Sequence, residues 1–172
     1  MTRVLLAFGS NLGDRAAHLR AAVDQLADEL VVVSGVYETP PWGDADQPSY
    51  LNAVALVTHP TRTVEEWLAE AQRIEASRGR VRDEARRFGP RTLDVDLIAA
   101  WTDDGAPVVR DSPELTLPHP RAHLRAFVLR PWLEIQPYAS LPGHGWVNDL
   151  VLAEPVASDV MSMTARRDVT LD

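Results

Sequence analysis

Short apolar runs alternate along the chain with segments of helical apolar period. Val4 to Phe8 is an unbroken apolar run and reads as a buried strand. The turn-rich segment Gly9-Ser10-Asn11-Leu12-Gly13-Asp14 follows, and a helix is predicted from Asp14 or Arg15, with Leu19, Val23, Leu26 and Leu30 on its inner face. Val31 to Tyr37 reads as a second strand, and Glu38 to Ser49, with Pro40, Pro41, Gly43 and Pro48, as a loop. Tyr50 to Thr58 is a third strand, in which Tyr50, Asn52, Val54 and Leu56 share a face. A second helix is predicted after Pro60. Thr63 and Glu66 have capping-box spacing, and Val64, Trp67, Leu68, Ala71 and Ile74 make the core face. Thr92 to Ala99 is the fourth strand. The order β-α-β-β-α-β predicts an α+β fold with a ferredoxin-like core.

Beyond Trp101 the pattern weakens. Pro107 to Arg110 is expected to pair back as a hairpin, and the proline-flanked segment Leu115 to Pro120 to be extended. A helix is predicted over Ala122 to Leu129, stopping near Pro131, and a short one over Val147 to Leu152. Residues 154–172 are polar and weakly patterned, and read as a loose tail or a marginal edge strand. A single domain of 172 residues is expected, with no internal repeat or interdomain linker.

The most informative stretch is Arg86 to Ala99. From Thr92, apolar Leu93, Val95 and Leu97 alternate with acidic Asp94 and Asp96, which places both carboxylates on one face of a strand. Adjacent like charges disfavour folding, and a hard cation with oxygen ligands compensates them. Upstream, residues 73 to 91 hold seven arginines, Arg73, Arg78, Arg80, Arg82, Arg86, Arg87 and Arg91, against Glu75, Asp83 and Glu84. That local charge of 7 − 3 = +4 sits inside a chain of net −8. Metal-binding acids beside a basic loop point to chemistry on a polyphosphate, although a solvated charged loop would have the same composition.

Composition narrows the classes. An acidic pI near 5.1 argues against a general nucleic-acid binder. No cysteine is present, so disulfides and thiol catalysis are excluded, and a reducing cytoplasm suits the chain. All 17 basic residues are arginine, which removes lysine Schiff bases and the Walker lysine and leaves bidentate guanidinium groups for any phosphate. No apolar run is long enough to span a membrane. Gly9 to Gly13 lacks P-loop spacing and reads as an ordinary strand-to-helix turn. Tyr50 and Asn52 could offer a ring face and an amide edge to a flat heterocycle, or be a core tyrosine with a polar neighbour. His119, between Pro118 and Pro120, could donate to phosphate or be a turn residue. The other histidines have no metal-ligand spacing.

Five blocks carry a resemblance: AFGSNLGDR at 7–15, YETPPWGDADQPSYLNAV at 37–54, QRIEASRGRVR at 72–82, RFGPRTLDVDLI at 87–98 and LTLPHPRAHLRAFVLRPWLEI at 115–135. Together they resemble the 6-hydroxymethyl-7,8-dihydropterin pyrophosphokinase family of folate biosynthesis. The resemblance implies an ATP-dependent pyrophosphoryl transferase that puts the β,γ-pyrophosphoryl group on the pterin hydroxymethyl oxygen and releases AMP. It implies that Asp94 and Asp96 hold two magnesium ions (Mg2+). Gln72, Glu75, Arg80, Arg82, Arg91, His119 and Arg125 would contact or organise ATP, with Ile98 near the adenine. Among these, Arg80, Arg82 and Arg91 with the two acids would be catalytic. Tyr50 and Phe127 would sandwich the pterin, Asn52 would bond its edge, and Thr39, Pro40 and Trp42 would line its pocket. Phe88 stands where many members have tryptophan, and Trp42 where some have a smaller aliphatic residue. A cytoplasmic monomer acting on small molecules is expected, with no nucleic-acid or membrane partner. Two other readings fit the residues alone: a metal-dependent nuclease or phosphodiesterase on the same acids, and a non-catalytic RNA-binding domain using the arginines. The second lacks paired sheet aromatics.

Overall fold

The computed structural model describes residues 1–80, 86 and 89–172. Arg82, Arg87 and Phe88 therefore lie outside the described residues. In chain order the elements are β1 (Thr2–Ser10), α1 (Arg15–Gln25), β2 (Leu30–Val33), β3 (Tyr37–Thr39), β4 (Tyr50–His59), α2 (Val64–Ser77), β5 (Asp94–Thr102), β6 (Arg110–Asp111) and β7 (Thr116–Leu117). There follow a 3-10 turn (Ala122–Leu124), α3 (Ala126–Ile135), β8 (Ser140–Leu141), β9 (Gly145–Trp146), α4 (Val147–Leu150), α5 (Val156–Met161) and β10 (Thr164–Ala165).

The main sheet is antiparallel in the order β10-β3-β4-β1-β5, with β2 also paired to β4. It is a mixed α+β architecture with a layer on each face of the sheet. On one face Val4, Leu6 and Phe8 of β1 pack with Leu19 and Val23 of α1, Trp67 and Ile74 of α2, and Leu93, Val95 and Leu97 beside or on β5. On the other face Leu5, Ala7, Val54 and Ile98 pack with Val128, Leu129 and Trp132 of α3 and with Val147 and Val156. Burial on both faces explains why β1 is apolar at successive positions rather than at alternate ones.

Local signals predict the helix starts well. Asp14 caps α1 by accepting from Ala17 N at 3.1 Å. Thr63 and Glu66 form the predicted capping box, with reciprocal bonds of 3.2 and 3.1 Å. Elsewhere tertiary packing changes the expected elements. The expected strand Val31 to Tyr37 is divided at Ser34, whose hydroxyl accepts from Val54 N at 2.9 Å, so two short strands share one edge of β4. Pro107 makes a bridge to Trp101, but the regular two-residue pairing joins Arg110–Asp111 to Thr116–Leu117. Helix α3 does not stop at Pro131 but continues to Ile135. Pro131 lies within the first two turns after Ala126, and burial of Leu129, Pro131 and Trp132 supports the continuation. Within residues 154–172 there is a helix, α5, and an edge strand, β10, and Val169 and Leu171 are buried in the main core. Among the described residues no helix is long and apolar enough to cross a membrane.

Candidate active site

The site forms at one end of the sheet, where β5 begins. Leu93, Val95 and Leu97 point into the core, so Asp94 and Asp96 share the opposite face. A bulge follows: Leu6 pairs with Leu97 and Leu5 with Ala99, which leaves Ile98 without a β1 partner. The Ile98 carbonyl accepts from His119 N at 2.7 Å and so ties the proline-flanked segment to the strand. Its side chain is buried against α3 and lines neither cavity of the site. Of the predicted site residues in the described chain, Ile98 alone contributes only backbone here.

Three arginines surround the acids. Arg80 donates to Asp94 Oδ1 at 2.9 Å and also to Glu75 Oε2, while Arg91 donates to Asp94 Oδ2 at 2.8 Å. Arg125 Nη1 lies 3.7 Å from Asp96 Oδ2. Glu75, buried on α2, accepts from Val95 N at 3.1 Å and links the helix to the strand. Burial, reinforced by the negative charge of Asp94, pushes the Glu75 carboxyl up to about 7. The same two causes push Asp96 up to about 7. Burial acts on Asp94 too, but Arg91, Arg80 and a hydrogen bond with Glu75 outweigh it and hold Asp94 below the ordinary carboxylate range. One firmly ionised acid thus stands between two that burial and its own charge keep ready to accept a proton. His119 is pushed down to about 4 by burial, with Arg125 and Arg121 adding to the effect. Its Nδ1 accepts from Arg121 N at 3.1 Å, which leaves the proton of the neutral ring on Nε2 as a donor.

Two cavities meet at this cluster. The smaller, about 50 Å3, is lined by Thr39, Pro40, Trp42, Tyr50, Asn52 and Phe127 together with β1 residues. Asn52 donates to Thr39 Oγ1 at 2.6 Å, which orients its amide. Gly9 forms part of the floor, where a Cβ would come within 3.2 Å of Asn52 Oδ1 and 3.4 Å of the Tyr50 ring. Arg125 stands 5.0 Å from the Trp42 ring centre and 5.4 Å from that of Phe127, so these rings flank a guanidinium. The larger cavity, about 450 Å3, is polar and contains Gln72, Glu75, Arg80, His119 and Arg121. Arg91, Asp94, Asp96 and Arg125 line both. A flat ring in the first and a polyanion in the second would meet over the two aspartates. Among the described residues no group of three or more histidine, aspartate or glutamate side chains converges as a ready-made metal cage.

Three further residues belong to this arrangement. Asn11, in the turn read as ordinary, is buried. It accepts from Arg91 N at 2.7 Å and donates to Gln47 Oε1 at 2.8 Å and to Pro48 O at 3.0 Å. It therefore fixes Arg91 against the loop at 40–49. The available signal was a polar side chain directly after the apolar run of β1. Arg86 reaches that same loop, with Nε donating to Asp44 Oδ2 at 2.6 Å. Arg121 joins the polar cavity, and only its position after Pro118-His119-Pro120 suggested it.

The profile of the 7,8-dihydro-6-hydroxymethylpterin-pyrophosphokinase (HPPK) family matches residues 5–137. The 2-amino-4-hydroxy-6-hydroxymethyldihydropteridine pyrophosphokinase of Mycobacterium tuberculosis (strain CDC 1551 / Oshkosh) is 51% identical over 145 residues, covering 82% of this chain and 76% of that one. The enzyme of the same name from Mycobacterium leprae is 49% identical over 178 residues, covering 99% and 89%. Among solved structures, an HPPK-DHPS in complex with substrates superposes with a TM-score of 0.65 at 9% identity, covering 95% of this chain and 46% of that one. The wild-type Plasmodium falciparum HPPK-DHPS with pterin and p-hydroxybenzoate gives 0.62 at 11% identity, covering 95% and 46%. The chain thus spans about half the length of those two-part proteins, and the likeness to them is one of fold.

Proposed function

The chain belongs to the 7,8-dihydro-6-hydroxymethylpterin-pyrophosphokinase family, and from that premise we propose how its residues divide the work. It transfers pyrophosphate from ATP to the hydroxymethyl group of 6-hydroxymethyl-7,8-dihydropterin, a step of folate biosynthesis. The observation that carries the division of labour is the pair of cavities sharing Arg91, Asp94, Asp96 and Arg125. We assign the ring-lined cavity to the pterin. Tyr50 and Phe127 stack on it, Asn52 meets its edge, and Thr39, Pro40 and Trp42 form its wall. We assign the polar cavity to ATP, held by Gln72, Arg80, Arg91, His119, Arg121 and Arg125. Glu75 orients Arg80, and the backbone of Ile98 holds His119 in place.

The donor set at Asp94 and Asp96 fits magnesium. Both carry hard oxygen ligands on one strand face, and Asp96 is raised by burial and by its neighbour's charge, a cost that a cation removes. We take the number of ions as two. Magnesium held by Asp94 and Asp96 would supply neutralisation and polarisation of the phosphate oxygens. Arg80 and Arg91 donate to the two oxygens of Asp94, so these guanidinium groups are close at hand for phosphate. Arg125 bridges the two cavities and can stabilise charge where the hydroxymethyl oxygen meets the transferred group. His119 donates from Nε2 without adding a net charge. With Asp94 and Asp96 assigned to the metal, no other carboxylate or imidazole among the described residues lines the ring-lined cavity, so rate is gained from positioning and electrostatics.

The α+β core reads as ferredoxin-like, with β2 and β3 together standing for its second strand. The remaining reading is a single-domain, cytoplasmic monomer. The direct test is mass spectrometry after incubation with ATP, magnesium and 6-hydroxymethyl-7,8-dihydropterin. AMP with a pterin diphosphate is expected. ADP with a pterin monophosphate, or hydrolysis of ATP with the pterin unchanged, would overturn the reading.

A further inference from the structure

Residues 162–172 lie beyond the stretch matched by the family profile, yet they reach the ring-lined side of the site. β10 covers the outer edge of β3, pairing Thr164 with Glu38 and Ala165 with Tyr37. Arg166 N donates to Val36 O at 2.8 Å. Beyond it, Val169 and Leu171 are buried in the main core, and Arg20 donates to Thr170 O at 3.2 Å. Arg166 therefore sits between two anchors.

Its guanidinium starts a polar relay. It donates to Asp168 at 2.9 and 2.8 Å and to Glu38 Oε1 at 3.1 Å. The second oxygen of Glu38 accepts from Arg15 Nη1 at 2.7 Å, and that same nitrogen donates to Ser49 O at 3.0 Å. Glu38 and Ser49 flank the loop that carries Pro40 and Trp42. The relay joins the two ends of that loop and ties them to the segment at 164–168. Next to it, Asp159, Ser162 and Met163 border a cavity of about 180 Å3 whose other walls include Pro40, Trp42 and Phe127. None of residues 154–172 lines the polar cavity.

Resting on the pterin assignment above, we propose that residues 162–168 are a positioning strap for the pterin subsite, with Arg166 its positioning residue. β3 is three residues long and would otherwise pair only with β4. Removing Arg166 leaves Glu38 held by Arg15 alone and loosens the end of the loop that follows β3. The affected wall is Thr39, Pro40 and Trp42, which face a cavity of about 50 Å3 with little tolerance for displacement. Among the described residues the strap lines no part of the polar cavity and reaches Arg91 and Arg125 only through the loop, so the nucleotide side is affected less than the pterin side.

The test is calorimetric titration of 6-hydroxymethyl-7,8-dihydropterin, with magnesium and a non-hydrolysable ATP analogue present, and of the analogue alone. It uses the unmodified protein, Arg166→Ala and Arg166→Lys. Arg166→Ala is expected to lose up to about fivefold in pterin affinity, the range of a partly exposed ion pair, with a clearly smaller change in nucleotide affinity. Arg166→Lys should recover most of the loss. Met163→Ala, which enlarges the cavity bordering Trp42, should give the same selective loss and serves if the Arg166 variants fold poorly. Pterin affinity unchanged in Arg166→Ala and Met163→Ala would overturn the strap alone. Equal losses for both ligands would also overturn it, by showing a general structural role. Failure of the unmodified protein to bind pterin would instead overturn the subsite assignment on which the strap rests.

Discussion

Replacing Asp96 by asparagine should stabilise the ligand-free protein while abolishing most of its activity. Folding takes the Asp96 carboxyl from its ordinary range near 3.8 to about 7. The folded state therefore binds the proton more tightly than the unfolded chain. The sign follows: stability falls as pH rises from about 4 to about 7, and the full penalty is present above that window. Three pH units correspond to a ceiling of about 4 kcal/mol. The side chain is 32% exposed, so solvent screening reduces this to about 2 kcal/mol. Loss of the contact with Arg125 does not reverse the sign, because the upward shift already includes the pull of that guanidinium. For a chain of this size, about 2 kcal/mol is a Tm increase of roughly 4–8 °C.

The assay is scanning calorimetry of the protein and of Asp96→Asn in chelator, at about pH 8 and about pH 4, beside magnesium-dependent turnover at saturating substrates. The Tm gain should appear at the higher pH and largely vanish at the lower, where the folded carboxyl is protonated and the unfolded one is only about half ionised. Turnover should fall by several orders of magnitude, since neutralising a transferring phosphoryl group is worth roughly several kcal/mol. An equal gain at both pH values would refute the charge argument. A lower Tm at about pH 8 would mean that the acid is structural, and near-normal turnover would remove it from the metal site.

Tyr50→Ala and Asn52→Ala should each weaken pterin binding, with nucleotide affinity unchanged by calorimetry; losing the edge hydrogen bond of buried Asn52 should cost about 1–3 kcal/mol. Arg80→Ala should lower single-turnover rate more than it lowers nucleotide affinity, because Arg80 already has carboxylate partners, Glu75 and Asp94, before any phosphate arrives; equal losses would count against a role in the transition state. His119 stays neutral in the folded protein down to about 4, whereas the unfolded chain takes up its proton near 6.5, so stability of the ligand-free protein should fall as pH drops through that window. Urea denaturation of His119→Asn should show a flatter pH dependence there, and an unchanged slope would show that the ring is not desolvated.

What the sequence shows of the site is whatever lies within one element or its immediate flank. Asp94 and Asp96 are legible because the two-residue period is local and the apolar neighbours Leu93, Val95 and Leu97 reveal which face is buried. The starts of α1 and α2 are legible for the same reason, since each cap bonds to an amide three residues on. Ile98 shows where this fails. Nothing in the residues at 92–99 announces a bulge; it arises from the register against β1, and it turns the carbonyl rather than the side chain toward His119. The split between β2 and β3 is likewise set by Ser34 bonding to Val54, 20 residues away. Residues 162–172 are the extreme case. Their local composition is polar, and their order comes from pairing with β3, more than a hundred residues earlier in the chain, and from burying Val169 and Leu171 in the main core.

The same distinction accounts for the arginines. Composition alone cannot separate a solvated basic loop from a phosphate clamp, because both have excess charge over residues 73–91. Burial separates them. Arg80 is only 8% exposed in its side chain and Arg125 9%, positions that a cation occupies at a high desolvation cost unless carboxylates compensate it. Here Glu75, Asp94 and Asp96 compensate, and the acids in turn depend on the arginines. Neither set is stable at this density by itself. A ligand that brings both phosphate and a divalent cation supplies each set with a new partner at once, so the exchange leaves no buried charge without a counterpart. A phosphate without the cation, or the cation without phosphate, would strand one set. On the assignment proposed above, the interlocked pairs would therefore favour the metal–nucleotide complex over either component. The measurable consequence is that nucleotide affinity should depend steeply on magnesium, and that Asp94→Asn should flatten that dependence rather than merely lower the affinity.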